Sequence, residues 1–379
     1  MELLVQKYLR SGKTLEDLEK DFGIKFSKCD SLVVLNYDQC ESPKVHPIVM
    51  ECRSLILENI TWDLIAMSFK RFFNYGECLD LTKDFDYSNA FALEKVDGSL
   101  ITVVHYHDKW YMSTRKSIEG KGNVGIFTFT FRDLFDRTVS QYDGFWDKLD
   151  KDNVYVFELV SPESKVVKPY MNRALYILTI RNTKNDFKEL EYEKTVEIAE
   201  ALGVNIPQRY SFKNIEDLIQ MSAGLEALDE GFVCVDYTGE EVKRIKVKNP
   251  KYVAIAHLKE SSSSSMRAIM QMIIAQEHEE FLSYFPEFTS IVNGINAEYL
   301  KYKNELTSLI NEAISKKGLE RKAFAMYATK TINPSLMFLV YDGKVDSFKS
   351  WTDSMMKQNL KLFPKKILEV LKIKDMEFE

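Results

Sequence analysis

A chain of 379 residues, 45% hydrophobic and 28% charged, has the size for two domains and the composition of an ordinary globular protein. A net charge of −6 excludes a protein that holds nucleic acid merely by being basic, so any such binding needs a local cationic face. No apolar run approaches membrane-spanning length, so no membrane partner is expected. With no signal peptide read at the start and five cysteines lacking Cys-x-x-Cys spacing (Cys29, Cys40, Cys52, Cys78, Cys234), reduced thiols in a cytoplasm are expected.

Residues 1–25 read as helical, with Leu3, Leu4, Tyr8 and Leu9, then a polar turn, then Leu15, Leu18 and Phe22. From Ser31 to about Val253 the pattern changes to short β-type runs: Leu32–Leu35, Ser54–Leu57, Leu100–Val104, Val154–Phe157 and Leu175–Leu178. Helical stretches interrupt them around Phe129–Phe135 and at Tyr192–Leu202, where Gly203 supplies a stop. Without a βαβ rhythm, the expected class is α+β, built on antiparallel sheets flanked by helices. Five serines at Ser261–Ser265 read as a joint. Beyond them Met266, Ile269, Met270, Ile273 and Ile274 fall on one helical face, with Tyr299, Leu306 and Ile310 on a second, and predict core packing in an all-α domain. The expected division is 1–258, a joint at 259–265, and 266–379.

The chemistry gathers in the first domain. Lys95 opens the tetrad Lys95-Val96-Asp97-Gly98 after the apolar run Ala90–Leu93, where a lysine is costly unless its amine is used as a nucleophile. Around it stand Glu51-Cys52-Arg53-Ser54, Arg71-Phe72-Phe73-Asn74-Tyr75-Gly76-Glu77, Phe157-Glu158-Leu159-Val160, Glu230-Gly231-Phe232-Val233 and Lys246-Val247-Lys248. In a strand, residues two apart share a face, so Lys95 and Asp97 are expected to point together, as are Lys246 and Lys248, with Ile245 and Val247 turned into a core. Taken singly, each charge is a solvated strand position. Taken together they supply a nucleophile, two carboxylates and several cations, the set needed for nucleotidyl transfer, where charge neutralisation and positioning dominate.

The order Lys-x-Asp-Gly, Phe-Glu, Glu-Gly-x-Val, Lys-x-Lys is similar to the motif series of the covalent nucleotidyltransferases, ATP-dependent ligases and capping enzymes. Within them, Glu51-Cys52-Arg53 ahead of Phe72-Phe73-Asn74-Tyr75-Gly76-Glu77 resembles the phage-type RNA ligase 1 family, which repairs cleaved tRNA anticodon loops. The likeness runs from about Tyr37 to Tyr252 and recurs at Glu320–Met326. It implies that Lys95 takes AMP, and that Arg53 contacts the ribose and phosphate region. Glu158 would hold the ribose or help to place a metal, and Glu230 would bind the catalytic metal. Lys246 and Lys248 would grip the α-phosphate and the leaving pyrophosphate. Gly231 and Val233 would pack near adenine, with Glu94 reading the base through its backbone. Arg71 and Arg115 depart from the pattern, standing where lysines are usual, and Lys116 is the alternative to Arg115.

The implied cofactors are ATP and Mg²⁺ or Mn²⁺, and the implied partner is RNA, as single-stranded ends or a cleaved tRNA anticodon loop. A monomer is expected, in the cytoplasm of an infected host if the gene is a phage's. Candidate RNA contacts are Lys243, Arg244 and Lys251, with Lys316, Lys317, Arg321, Lys322, Lys357, Lys361, Lys365 and Lys366 in the helical domain. Tyr37, Phe73 and Tyr252 are candidate stacking rings. The rival readings are a DNA ligase, a capping guanylyltransferase, and a catalytically inactive RNA-binding protein on the same fold.

Overall fold

Strands fill the region where alternating runs predict them. The computed structural model describes residues 2–39, 41–83, 85–125, 127–253, 265–284, 286–331, 333–352, 367 and 371. The chain divides into two units, Met1–Ala256 and His257–Glu379. In the first unit, β1 (Ile24–Cys29), β2 (Leu32–Tyr37), β3 (Arg53–Glu58) and β4 (Leu64–Ala66) form one antiparallel sheet in that order. A second sheet runs β10-β9-β8-β6-β7, from β6 (Ser99–Tyr106), β7 (Lys109–Thr114), β8 (Asn153–Val160), β9 (Ala174–Asn182) and β10 (Lys188–Glu189). A third runs β11-β5-β12-β13, from β5 (Phe91–Glu94), β11 (Arg209–Tyr210), β12 (Gly231–Asp236) and β13 (Lys243–Lys248). The class is α+β with antiparallel sheets, as the sequence predicts.

Period-two alternation explains the layers. Val33, Leu35, Leu55 and Leu57 bury one face of the first sheet against α1 (Leu4–Arg10), α2 (Leu15–Phe22) and α3 (Pro47–Glu51). Leu32, Val34 and Ile56 bury the other against Val104, Tyr111 and Val154 of the second sheet. On the second sheet's far face, Tyr155, Phe157 and Leu159 pack with Leu134 and Phe135 of the helix Phe131–Val139 and with Ala199 and Leu202 of the helix Tyr192–Leu202. Glu158 lies between two of these core residues, so its side chain is turned to the opposite face. Ala92, Phe232, Cys234, Ile245 and Val247 bury the third sheet against Leu218 of the helix Ile215–Gly224. That leaves Lys246 and Lys248 on the other face, as expected.

Local signals set the helix ends. Thr14 caps α2 by accepting from the Asp17 amide at 3.0 Å, and Gly23, at φ +66°, ends it. Gly203, at φ +72°, ends Tyr192–Leu202 where the sequence placed the stop. Glu51 is a structural group: its carboxylate accepts from the amides of Leu4 at 3.1 Å and Val5 at 2.9 Å, holding the first turn of α1.

The second unit has helices at Ser265–Ile274, His278–Tyr284, Thr289–Ser315, Arg321–Ala328 and Pro334–Tyr341. Ile269, Met270 and Ile273 are buried with Tyr299, Leu306 and Ile310, so these residues are core. Ser265 opens the first helix, while Ser261–Ser264 and the lysines at 357, 361, 365 and 366 lie outside the described residues. Among the described residues, no helix is long and apolar enough to cross a membrane.

Candidate active site

Lys95 is the first residue beyond β5, not a residue inside a strand. Its amide donates to the Gly231 carbonyl at 2.9 Å. The chain then turns, because Asp97 is drawn inward. Asp97 is 4% exposed; its Oδ2 accepts from the amides of Val167 at 2.8 Å and Lys168 at 2.7 Å, and its Oδ1 from the Tyr252 hydroxyl at 3.0 Å. The expectation that Lys95 and Asp97 point together as strand neighbours is therefore corrected: Asp97 anchors the loop after β8. Gly98 completes the turn. A Cβ there would stand 2.6 Å from the Leu159 carbonyl oxygen and 3.0 Å from Glu158 Cγ, so only glycine lets β6 start this close to the strand carrying Glu158.

Glu230 faces the lysine. Its Oε2 is 2.6 Å from Lys95 Nζ, and its Oε1 is 3.8 Å from Lys248 Nζ. The pairing of β12 with β13 sets Gly231 opposite Lys248 and Val233 opposite Lys246, which fixes this register. Gly231 has φ +125°, and a Cβ on it would lie 2.3 Å from the Val247 carbonyl oxygen and 2.7 Å from Lys248 Cα. Gly231→Ala is accordingly expected to destabilise the first unit by about 3 kcal/mol or more. Thermal unfolding followed by circular dichroism checks this; an unchanged melting temperature would contradict the close packing.

Cations crowd the rest of the site. Arg53, the first residue of β3, has its guanidinium 5.1 Å from the Phe72 ring centroid and 5.5 Å from that of Phe69. Arg71 lies 4.1 Å from the Tyr37 ring, with Arg115 at 5.6 Å from the same ring. Lys246 Nζ is 4.9 Å from the Phe72 centroid. The segment Phe73–Tyr75 is laced onto β13, since the Lys246 amide donates to the Phe73 carbonyl at 3.0 Å and the Tyr75 amide to the Lys246 carbonyl at 2.8 Å. Asn74 and Lys44 both bind the buried Glu77, at 2.7 Å and 2.9 Å. Two buried guanidinium nitrogens, Arg53 Nη1 and Arg71 Nη1, have no hydrogen-bond partner. Buried donors without acceptors are costly, and a polyanion would satisfy them.

Burial moves two groups. Burial, then the charges of Arg53, Lys248 and Lys95, push the Lys246 ammonium down to about 7, with Glu77 opposing. Burial pushes the Glu158 carboxyl up to about 7, with Glu230 adding to the rise and Lys95 and Arg53 opposing it. The signs for stability follow by linkage. Between about 7 and the usual 10.5, the unfolded chain holds a proton on Lys246 that the folded chain lacks, so this group's contribution rises with pH. Between the usual 4.5 and about 7, the folded chain holds the extra proton on Glu158, so that contribution falls as pH rises.

Several residues singled out from sequence lie elsewhere or differently. The Arg244 side chain is 7% exposed, held in a bidentate pair with Glu189, and Tyr252 is buried against Asp97, so neither offers an open surface to RNA. Tyr37 and Phe73 are 7% and 4% exposed, packed under arginines instead of offering open faces to bases. Glu94 lies opposite Phe232, on the core-facing side of the third sheet, and Lys168 Nζ is 3.8 Å from its carboxylate. Arg115 is half-buried; Lys116, Lys243 and Lys251 are exposed, as are Arg321 and Lys322 in the second unit, where Arg321 pairs with Asp342 at 2.8 Å. The sequence reading did not single out Glu189, Arg181, Lys168 or Lys44; single charges without a motif around them gave no signal.

Residues 51–252, more than half of the chain, match the RNA ligase family. The chain is 30% identical over 308 residues to the "Putative bifunctional polynucleotide kinase/RNA ligase" of Autographa californica nuclear polyhedrosis virus, a match covering 76% of this chain and 43% of that protein. It therefore spans less than half the length of that relative. An RNA ligase of Rhodothermus phage RM378 is 24% identical over 397 residues, covering 87% of this chain and 89% of the other. Among solved structures, an archaeal ATP-dependent RNA ligase aligns over 71% of this chain and 67% of its own at 14% identity, with a TM-score of 0.46. The chain belongs to the phage-type RNA ligase family.

Proposed function

We propose that this protein is an ATP-dependent RNA ligase that joins a 5′-phosphate to a 3′-hydroxyl through lysyl-AMP and RNA-adenylate intermediates. The observation that carries the reading is the approach of Lys95 Nζ to Glu230 at 2.6 Å, in a site where Arg53 Nη1 and Arg71 Nη1 are buried without acceptors. In the first step the Lys95 nitrogen forms a bond to the α-phosphorus of ATP and the bond to the β-phosphate oxygen breaks, releasing pyrophosphate. Glu230 is placed to receive the proton that the amine must lose. Arg53, Arg71, Lys246 and Lys248 hold the phosphates, with Arg115 and Lys116 as further contacts. Val233, Gly231 and the Glu94 backbone line the nucleoside, and Tyr37 supports Arg71 from beneath. In the second step an oxygen of the RNA 5′-phosphate takes AMP from Lys95, and the amine regains its proton. In the third the 3′-hydroxyl attacks the activated 5′-phosphorus and AMP leaves.

Mg²⁺ or Mn²⁺ fits the donor set: Glu158 and Glu230 offer hard carboxylate oxygens, and Glu158 has its charge disfavoured by burial until a cation joins it. Bound there, the ion would neutralise charge on the phosphates. Lys243, Lys251, Lys317, Arg321 and Lys322 are among the exposed cations available to RNA, and the cleaved anticodon loop as natural substrate rests on the family resemblance.

Strand joining checks the reading. 5′-Phosphorylated single-stranded RNA should be sealed with ATP and Mg²⁺; activity only with GTP, or only on nicked duplex DNA, would favour a rival. Triphosphate binding should also restore charge to Lys246, with uptake of about one proton near pH 8. Calorimetry in buffers of different ionisation enthalpy measures it. The uptake should vanish in Lys246→Arg, whose side chain stays charged; its persistence there would assign the proton to another group.

A further inference from the structure

Glu189, on the edge strand of the second sheet, keeps a carboxylate only 3% exposed. Its Oε1 accepts from Arg181 Nη2 at 2.7 Å and Arg244 Nη1 at 2.9 Å, and its Oε2 from Thr179 Oγ1 at 2.7 Å and from Arg244 Nη2. Arg181 belongs to β9 of the second sheet and Arg244 to β13 of the third, so one carboxylate ties the two sheets together. Burial alone would raise its pKa, but Arg244 and Arg181 outweigh that and hold it below the usual carboxylate range.

Each arginine leads by a short path to a cation assigned to the phosphates. Arg244 stands two residues before Lys246 on the same strand, hence on the same face. Arg181 Nε donates to the Ser68 carbonyl at 2.8 Å, and the Ser68 hydroxyl donates to the Arg53 carbonyl at 2.7 Å. The Phe69 ring contacts both ends, with the Arg53 guanidinium 5.5 Å and the Arg244 guanidinium 4.6 Å from its centroid. Arg53 comes from the first sheet and Lys246 from the third; both touch the Phe72 ring, and Glu189 adds a charged link between the strands behind them.

We propose that Glu189 is a positioning residue that fixes Arg53 and Lys246 at the spacing a triphosphate requires, without touching the nucleotide. The inference rests on the reading of this site as the ATP site. Its consequence is selective: the step that handles a triphosphate depends on Glu189, while sealing of RNA already carrying a 5′-adenylate depends on it far less.

The test uses the full-length protein with Glu189→Gln, which keeps the shape and removes the charge, and Glu189→Asp, which keeps the charge. ATP dependence of lysyl-AMP formation is measured beside ATP-free sealing of 5′-adenylated RNA. Glu189→Gln should raise the half-saturating ATP concentration by about 10-fold or more while sealing changes less than about 3-fold, and Glu189→Asp should recover part of the difference. Ser68→Ala, which breaks only the Arg53 branch, should shift ATP dependence in the same direction by a smaller factor, and it decides the matter if Glu189→Gln does not fold. An unshifted ATP dependence, or equal losses in both reactions, would overturn the inference. A wild-type protein that forms no adduct would overturn the ligase reading and this inference with it; a normal wild type with an unshifted Glu189→Gln would overturn only the latter.

Discussion

Lys95→Ala is expected to lose the covalent AMP adduct entirely, a fall of at least about 10⁴-fold in adenylylation, while remaining folded. The side chain is 21% exposed and lies past the end of β5, so its removal opens no core cavity. Glu230 would retain Lys248 as a neighbour at 3.8 Å. Lys95→Arg is expected to be equally inert in this step, because a guanidinium stays protonated and is no nucleophile. Sealing of 5′-adenylated RNA should survive in both variants, since that chemistry no longer needs the amine. Labelled ATP and denaturing electrophoresis measure the first loss, and a strand-joining assay with preadenylated RNA measures what is spared.

Glu230→Gln carries the second large effect. The substitution keeps the volume but leaves the ammonium groups of Lys95 and Lys248 without the carboxylate that now faces both. It also removes the proposed proton acceptor and replaces one of the two carboxylates assigned to the divalent ion with a neutral, weaker oxygen donor. A fall of about 10²–10⁴-fold in lysyl-AMP formation is expected, with the rate saturating at a higher Mg²⁺ concentration. Single-turnover adenylylation across a Mg²⁺ series measures it. A rate within about threefold of wild type would remove Glu230 from the reaction.

Much of the fold is legible in the sequence because period-two alternation reports burial directly. Ile245 and Val247 are apolar, which predicts a core-facing side with Lys246 and Lys248 opposite, and both are buried. Gly98 and Gly231 were visible as motif glycines; their reason, contacts of 2.6 Å and 2.3 Å with backbone oxygens of other strands, belongs to tertiary structure. The misread residues share a cause. Arg244 looks like a surface cation until Glu189, 55 positions away, is seen to bind it. Tyr252 looks like a stacking ring until Asp97, 155 positions away, takes its hydroxyl. Strand periodicity puts Asp97 on the same side as Lys95, but β5 ends at Glu94, so neither residue lies in the strand. Sequence spacing reports which side of a strand a residue occupies, and it is silent on what arrives from another strand to meet it.

The most direct test is to incubate the wild-type protein with ATP labelled at the α-phosphate and a divalent cation, denature it, and map the label by peptide mass spectrometry. Label on the peptide containing Lys95, acid-labile as a phosphoramidate is and absent from Lys95→Ala, is the predicted result. Label on another residue, or adduct formation undiminished in Lys95→Ala, would contradict the assignment of this lysine as the nucleophile.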